Sequence, residues 1–398
     1  MLKLVPLFDT INFHQKENLE VTRILSEKSK KELDEYHCIF KFLSHYTGSV
    51  DTFNTYRREV ERLYHWAWII NKKGILSCDS LDIQNYIKFC RSPPEAWTNP
   101  VLIHRFVFKN AVRVPNTRWK PFKKGHSLSD KSIQILLASL GTMYSYLLQE
   151  GIVSKNPVQM IRQKTRLIRR EQSVRVTRKL SSIQWHFVIS SAKNLADDNI
   201  RFERHLFLLS SFFLMGVRIS ELAESERHQP LMTNFFKDQH DCVWFSTVGK
   251  GNKYREIAVS DDMLMALYRY RVSLGLSKFP QPTETTPLCP KIKGRGGLGS
   301  RQIRYMVQEV FDSAMLQLKE NGNHEDALIL KQATVHWLRH TSISYDVQHR
   351  PREHVRDDAG HESVVITDKY IDVDRIARHQ SAKNKKLMTE LEKKEAGQ

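Results

Sequence analysis

Long hydrophobic runs are missing from this sequence. The most apolar stretch, LFLLSSFFLMGV at 206–217, is twelve residues, short of the ~20 that a membrane-crossing helix needs. The N-terminus, MLKLVPLFDTINFHQ, breaks at Pro6 and turns polar, so no signal peptide is expected. Cysteine is scarce: Cys38, Cys78, Cys90, Cys242 and Cys289 are odd in number and widely spaced. They show neither metal-ligand spacing nor a disulfide framework, and they predict reduced, structural thiols in an intracellular protein. Solenoid repeats and low-complexity tracts are absent too. Negative charge is the remaining deficit. With 44 acidic residues against 62 Lys and Arg, the net charge is +18 and the pI about 9.6. That imbalance points to a polyanionic partner, nucleic acid before an anionic membrane, and the short apolar runs argue against the membrane.

What is present is globular material. Apolar residues make up 40% of 398, enough for a core and for two or more domains. The first 37 residues show no strong period and form an N-terminal extension, an arm or adaptor segment. A helical domain follows over 38–161. Its first strong helix is TYRREVERLYHWAWII, with Tyr56, Val60, Leu63, Tyr64 and Ala67 on one face. Arg57 and Arg58 point off that face and are candidate DNA contacts, and Thr52 or Thr55 is placed to cap the start. SLDIQNYIKFC reads as a second helix, and SDKSIQILLASLGTMYSYLLQEG as a third, capped by Ser129 and stopped by Gly151. Between them the Pro- and aromatic-rich stretch 91–126 has no helical period and reads as a long surface loop, or as an excursion along a DNA groove, with the loop slightly favoured.

Residues 162–179, RQKTRLIRREQSVRVTRK, hold eight basic residues against the single acid Glu171. A charge run is usually a solvated face, but this one joins two packed units. A linker crossing a phosphate backbone fits it, with Arg169, Arg170 and Arg175 as candidate contacts. A second, mostly helical domain runs over 180–375 with one hairpin, CVWFSTV and YREIAV joined by GKGNK. The tail 376–398 has few apolar residues.

The second domain carries a set of side chains suited to one reaction. Cleaving a DNA phosphodiester away from its ends needs a nucleophile at phosphorus, cations on the non-bridging oxygens and a proton for the leaving 5′-oxygen. Arginine suits the second task, being permanently charged and forked like the phosphate oxygens. Lys or His suits the third. Tyrosine suits the first where cations lower its pKa from ~10. Arg218, Lys250, His336, Arg339, His361 and Tyr370 supply these parts.

In these segments the chain resembles the tyrosine recombinase, or phage integrase, family. Gly216, Arg218, Glu221 and Leu222 match its Gly-x-Arg-x-x-Glu-Leu segment. Lys250 matches its hairpin lysine. His336, Arg339 and His340 match His-x-x-Arg-His, and Gly360 and His361 match the Gly-His that precedes Tyr370 by nine residues. Ala359 stands where the family often has Leu. The resemblance is close over 180–375 and looser over the helices before Gly151. It implies a mainly α fold with a small antiparallel β-sheet, in which a helical core-binding domain and a catalytic domain form a clamp on DNA. It implies site-specific recombination through a covalent 3′-phosphotyrosyl intermediate on Tyr370, with no metal, nucleotide or other cofactor. Arg218 and Arg339 would hold the non-bridging oxygens, Lys250 would protonate the 5′-oxygen, His336 would assist proton transfer or position Tyr370, and His361 would bond the phosphate. Glu221 would orient Arg218, or is an ordinary helix acid. The implied partners are double-stranded DNA with paired half-sites, further copies of the chain in a homotetramer docked through the tail, and accessory DNA-bending or directionality factors. The implied place is the cytoplasm, with the nucleoid.

Rival readings are a type IB topoisomerase-like nicking-closing enzyme and a catalytically silent DNA-binding accessory protein. The hairpin lysine and the Gly-His favour the recombinase, and the complete polar set argues against lost catalysis. Three weaker patterns are set aside. His336 and His340 have zinc-helix spacing, but Trp337 stands where the motif needs Glu. GRGGLG at 294–299 precedes a helix without the βαβ context of a dinucleotide site and reads as a surface loop. Trp66, Trp68, Trp185 and Trp244 read as packing residues.

Overall fold

The computed structural model describes residues 4–361 except 102, 126, 162–177, 227 and 250–252, together with Ser363, Thr367 and Lys383. The chain divides into two compact units, residues 1–174 and 175–398.

The first unit is helical. α1 (Leu19–Ser26) and α2 (Lys30–Ser44) lie in and across the end of the segment read as an extension. Asn18 caps α1, and Ser29 and Glu32 form a reciprocal capping box on α2. Val5, Leu7 and Phe8 are buried in the unit's core. This segment is therefore part of the fold; α1 is too short for a strong periodic signal, and the caps of α1 and α2 mark where both helices start. α3 (Val50–Trp66) starts at Ser49, whose hydroxyl accepts from Thr52 N–H, rather than at Thr52 or Thr55. It runs on into a π-helical turn, Ala67–Asn71. Val60, Leu63, Tyr64 and Ala67 are buried as the periodicity predicts. α4 (Ser80–Arg91) and α5 (Asp130–Gln149) complete the helices.

The stretch between α4 and α5 is not a plain loop. β1 (Thr98–Asn99) pairs in parallel with β4 (Phe122–Lys123), and β2 (Phe106–Lys109) pairs antiparallel with β3 (Val112–Pro115). Asn110 and Ala111 both have positive φ, 48° and 63°, as a tight hairpin turn requires. Trp97, Phe106, Trp119 and Phe122 are buried, so its aromatics bind it to the helices.

The second unit packs helices around α7. α6 (Ser182–Asp198) opens on a capping box of Ser181 and Gln184. α7 (Glu203–Leu214) is buried on most of its faces and packs against α6, α9, α10 and α12. α8 (Ile219–Leu222) is a single turn. β5 (Phe235–Lys237), β6 (Val243–Val248) and β7 (Tyr254–Ala258) form an antiparallel sheet in that order. α9 (Asp261–Ser273), α10 (Ser300–Glu320), α11 (His324–Leu330), α12 (Val335–His349) and α13 (Arg352–Ala359) follow. Phe207, Phe212, Phe235, Phe245, Ile257, Val310 and Leu338 belong to one core. Arg271, fully buried, bonds both oxygens of Glu284 and the Ser277 carbonyl, fixing the loop after α9. The fold is thus mainly α with small sheets, and among the described residues no helix is long and apolar enough to cross a membrane.

Candidate active site

Three segments of the second unit meet at one carboxylate. Gly216 ends the chain's exit from α7 with φ +58°, where a Cβ would lie 3.1 Å from Ser342 Oγ. This turn sets Arg218 at the N-cap of α8. One helical turn on, Glu221 is fully buried. Its carboxylate accepts from Arg218 N–H (2.6 Å) and from Arg218 Nη1 (3.1 Å). It also accepts a fork from Arg255, Nη1 at 2.5 Å and Nη2 at 2.8 Å. Burial alone would push the Glu221 carboxyl up. The hydrogen bonds and charge of Arg255, then those of Arg218, outweigh it and hold the group below its ordinary value. Of the two readings of Glu221, the structure supports the orienting one.

The β6–β7 hairpin reaches the same place. Its register pairs Thr247 with Arg255 and Val248 with Tyr254, and Gly249 N–H continues the ladder to the Lys253 carbonyl (2.8 Å). A Cβ on Gly249 would lie 3.3 Å from Glu221 Oε1 and 3.6 Å from Arg218 Nη1. The residue before Lys250 in sequence is thus packed on the Arg218–Glu221 pair. Lys250 itself lies outside the described residues.

α12 and the end of α13 bring the rest. Arg339 is 2% exposed. Its Nη1 donates to the Gly216 carbonyl and its Nη2 to the Ala359 carbonyl (2.7 Å). Arg339 Nη2 also lies 3.5 Å from His361 Nε2, and His361 Nδ1 lies 2.9 Å from Thr367 Oγ1. Gly360, at φ +62°, closes α13 in the left-handed conformation and delivers His361. His336 and His340 stack edge to face one turn apart, ring centres 4.4 Å apart.

Burial lowers all three imidazoles, and the arginine charges add to it. His361 falls to about 4 through burial, then Arg339, Arg218 and Arg255. His340 falls to about 4 through burial, then His336 and Arg339. His336 is lowered by burial, then Arg339 and Arg218. The site is therefore a nest of fixed cations with neutral imidazoles, and its buried acid is shared between two guanidiniums. Such a nest is built to take an anion.

Tyr370, and Arg169, Arg170 and Arg175 of the linker, lie outside the described residues. Arg57 is 7% exposed, with its guanidinium 5.7 Å from the Phe53 ring centre, whereas the Arg58 side chain is 46% exposed and pairs with Glu59. Arg255 was not among the sequence-derived candidates. The signal was available: in a strand whose side chains alternate, a cation shares the inward face with Ile257 and sits opposite buried Thr247. The aromatic reading holds, since Trp66 is buried, Trp185 stacks on Phe213 at 4.2 Å, and the indoles of Trp68 and Trp244 donate to Glu35 and Asp238. The Gly-rich loop of 294–299 is a structural one, its Gly297 N–H donating to Glu224.

No family model matches the chain. Single relatives do. Tyrosine recombinase XerC of Thermodesulfovibrio yellowstonii is 23% identical over 300 residues, covering 74% of this chain and 83% of that protein. Tyrosine recombinase XerC of Anoxybacillus flavithermus is 25% identical over 192 residues, 48% of this chain and 58% of that one. Among solved structures, the XerH site-specific recombinase bound to palindromic difH has a TM-score of 0.57 at 15% identity, covering 93% of this chain and 89% of that one. The Tn1549 transposon integrase bound to circular intermediate DNA has a TM-score of 0.55 at 16% identity, covering 88% and 98%. The Arg218, hairpin, His-x-x-Arg-His and Gly-His segments meet on a fold shared with these solved structures, and the sequence relatives carry the same name: the chain is similar to tyrosine recombinases in sequence and in fold.

Proposed function

We propose that this protein is a site-specific recombinase that cleaves and rejoins duplex DNA through a 3′-phosphotyrosyl intermediate. The observation that carries the reading is the meeting of Arg218, Arg339, His336 and His361 in one cationic nest beside the hairpin of Lys250. In this reading Tyr370 gives up its phenolic proton, with the neutral His336 assisting the transfer or positioning the ring, and its oxygen attacks phosphorus and forms the new ester. The 5′-oxygen leaves and takes its proton from Lys250, while Arg218, Arg339 and His361 hold the charge of the two non-bridging oxygens. Attack by a 5′-hydroxyl of a second strand reverses the step and releases Tyr370. The phosphoester energy is kept in the tyrosyl link, so no nucleotide is consumed. Arg58 and the linker arginines Arg169, Arg170 and Arg175 contact phosphates outside the site; Arg57 supports its helix from within. Exchange between two duplexes requires paired half-sites and four copies of the chain, with the tail 376–398 docking between neighbours and accessory DNA-bending or directionality factors assisting. The protein works in the cytoplasm, on the nucleoid.

The test is a covalent trap. Duplex DNA flanking the gene, incubated with the protein and quenched in detergent, should yield a protein–DNA adduct with a new 5′-hydroxyl. Tyr370→Phe should lose the adduct and keep duplex binding, because affinity comes from many phosphate contacts. An adduct formed by the Phe variant, or none formed by the wild type on any flanking segment, overturns the reading.

A further inference from the structure

We infer that Arg255 is a positioning residue for Arg218, setting that guanidinium for phosphate by taking up the carboxylate of Glu221. The inference rests on Arg218 being a phosphate ligand. Glu221 is fully buried and charged, so its oxygens demand donors. Arg218 gives it only one side-chain hydrogen bond, from Nη1 at 3.1 Å. Arg255 gives it a two-pronged one, at 2.5 and 2.8 Å. The fork is the stronger geometry, and it leaves only one prong of the Arg218 guanidinium on the carboxylate. Were Arg255 absent, the nearest fork able to satisfy Glu221 would be that of Arg218. A guanidinium drawn fully onto a buried carboxylate is lost to a substrate phosphate, and the acid's charge would then face that phosphate through one arginine instead of two.

The third donor of Arg255 adds a second connection. Its Nε donates to the Asp358 carbonyl (2.9 Å) in the last turn of α13, two residues before Gly360. Glycine backbones approach the side chain at two places. A Cβ on Gly249 would lie 2.9 Å from Arg255 Nη1, and one on Gly360 would lie 2.9 Å from Arg255 Cδ. One side chain, 9% exposed, thus touches the segments that lead to Arg218, Lys250 and His361. A lysine cannot replace it, since a single ammonium does not span two carboxylate oxygens and a carbonyl on another helix.

The test is a double-mutant cycle on single-turnover cleavage of a nicked duplex at saturating protein, with duplex affinity and melting temperature measured on every variant. Arg255→Gln should slow cleavage by roughly 10–10²-fold, below the 10²–10³-fold of a lost transition-state donor, with affinity changed less than about two-fold. Arg255→Lys should not restore the rate. In an Arg218→Ala background, Arg255→Gln should slow cleavage by no more than about two-fold further, because its effect travels through Arg218. Full additivity, or a wild-type rate for Arg255→Gln, overturns the inference. If Arg255→Gln does not fold, Arg255→Lys carries the same cycle, and its additivity with Arg218→Ala overturns the inference equally. A wild-type rate for Arg218→Ala alone would instead refute the phosphate-ligand reading beneath it.

Discussion

His361 shows how the site is charged before DNA arrives. Arg339 can only donate, so His361 Nε2 accepts from it at 3.5 Å and the proton sits on Nδ1, towards Thr367. A phosphate oxygen beside Nε2 would need a donor there, and its negative charge would favour the doubly protonated ring over a neutral tautomer. His340 and His361 both sit at about 4 against an ordinary 6.5. Their folded values are depressed, so the unfolded chain takes up protons first as pH falls. Stability is intact above 6.5, drops as pH falls towards about 4, and levels off below. In the proposed reading, bound DNA would act in the opposite sense by raising the folded value. Calorimetric titration at a pH of about 5.5, in buffers of different ionisation enthalpy, should show net proton uptake on duplex binding, smaller in His361→Asn and absent at about pH 8. Equal uptake in the Asn variant would take His361 off the phosphate.

At the scale of elements, two glycine turns, one in each unit, make a prediction that separates strain from function. Gly151 and Gly360 both hold positive φ, +69° and +62°. Around Gly151 nothing lies within 4 Å of where a Cβ would stand, whereas at Gly360 the Cβ would meet Arg255 Cδ at 2.9 Å. Gly151→Ala should cost about 1 kcal/mol of stability and leave cleavage alone, since only the backbone objects. Gly360→Ala should cost at least as much and also slow cleavage, by displacing Arg255 and the entry to His361. Normal cleavage by Gly360→Ala, with melting curves confirming the loss, would show that the close approach is only packing. The same scale explains what the sequence made legible. α3, α5 and the β6–β7 hairpin are long or strictly alternating, so period and turn residues revealed them. α1 and the β1–β4 insertion are short, and their stability comes from contacts far along the chain, such as Arg113 with Asp9 and with the Phe13 ring. That layer also explains Arg57. Its place off the apolar face of α3 reads as solvent-facing, yet the N-terminal segment brings Asp9 close enough to act on its charge, and the side chain is buried. The motif residues were legible because the proposed chemistry needs fixed residue types; Arg255 was not, because its contacts arise from pairing across a sheet and onto a helix end.

At the scale of the whole molecule, charge is distributed unevenly enough to test. Eight basic residues against one acid give 162–179 a net +7, over a third of the chain's +18 in eighteen residues. In the second unit, by contrast, many arginines are already committed to acids: Arg255 to Glu221, Arg269 to Glu203 and Asp197, Arg271 to Glu284, Arg350 to Asp346. Arginines held in such pairs release few counterions on binding DNA, so the linker should dominate the salt dependence out of proportion to its length. Each phosphate contact contributes a slope of roughly 0.9 in log affinity against log salt. Replacing Arg169, Arg170 and Arg175 together by glutamine should therefore flatten the slope by roughly 2–3, with single-turnover cleavage at saturating protein nearly unchanged. Fluorescence anisotropy on a fixed duplex across a salt series measures the slope. An unchanged slope would place the linker off the DNA and move the burden of affinity to the two packed units, whereas a collapse of cleavage at saturation would mean that the linker also sets the geometry of the catalytic unit on its substrate.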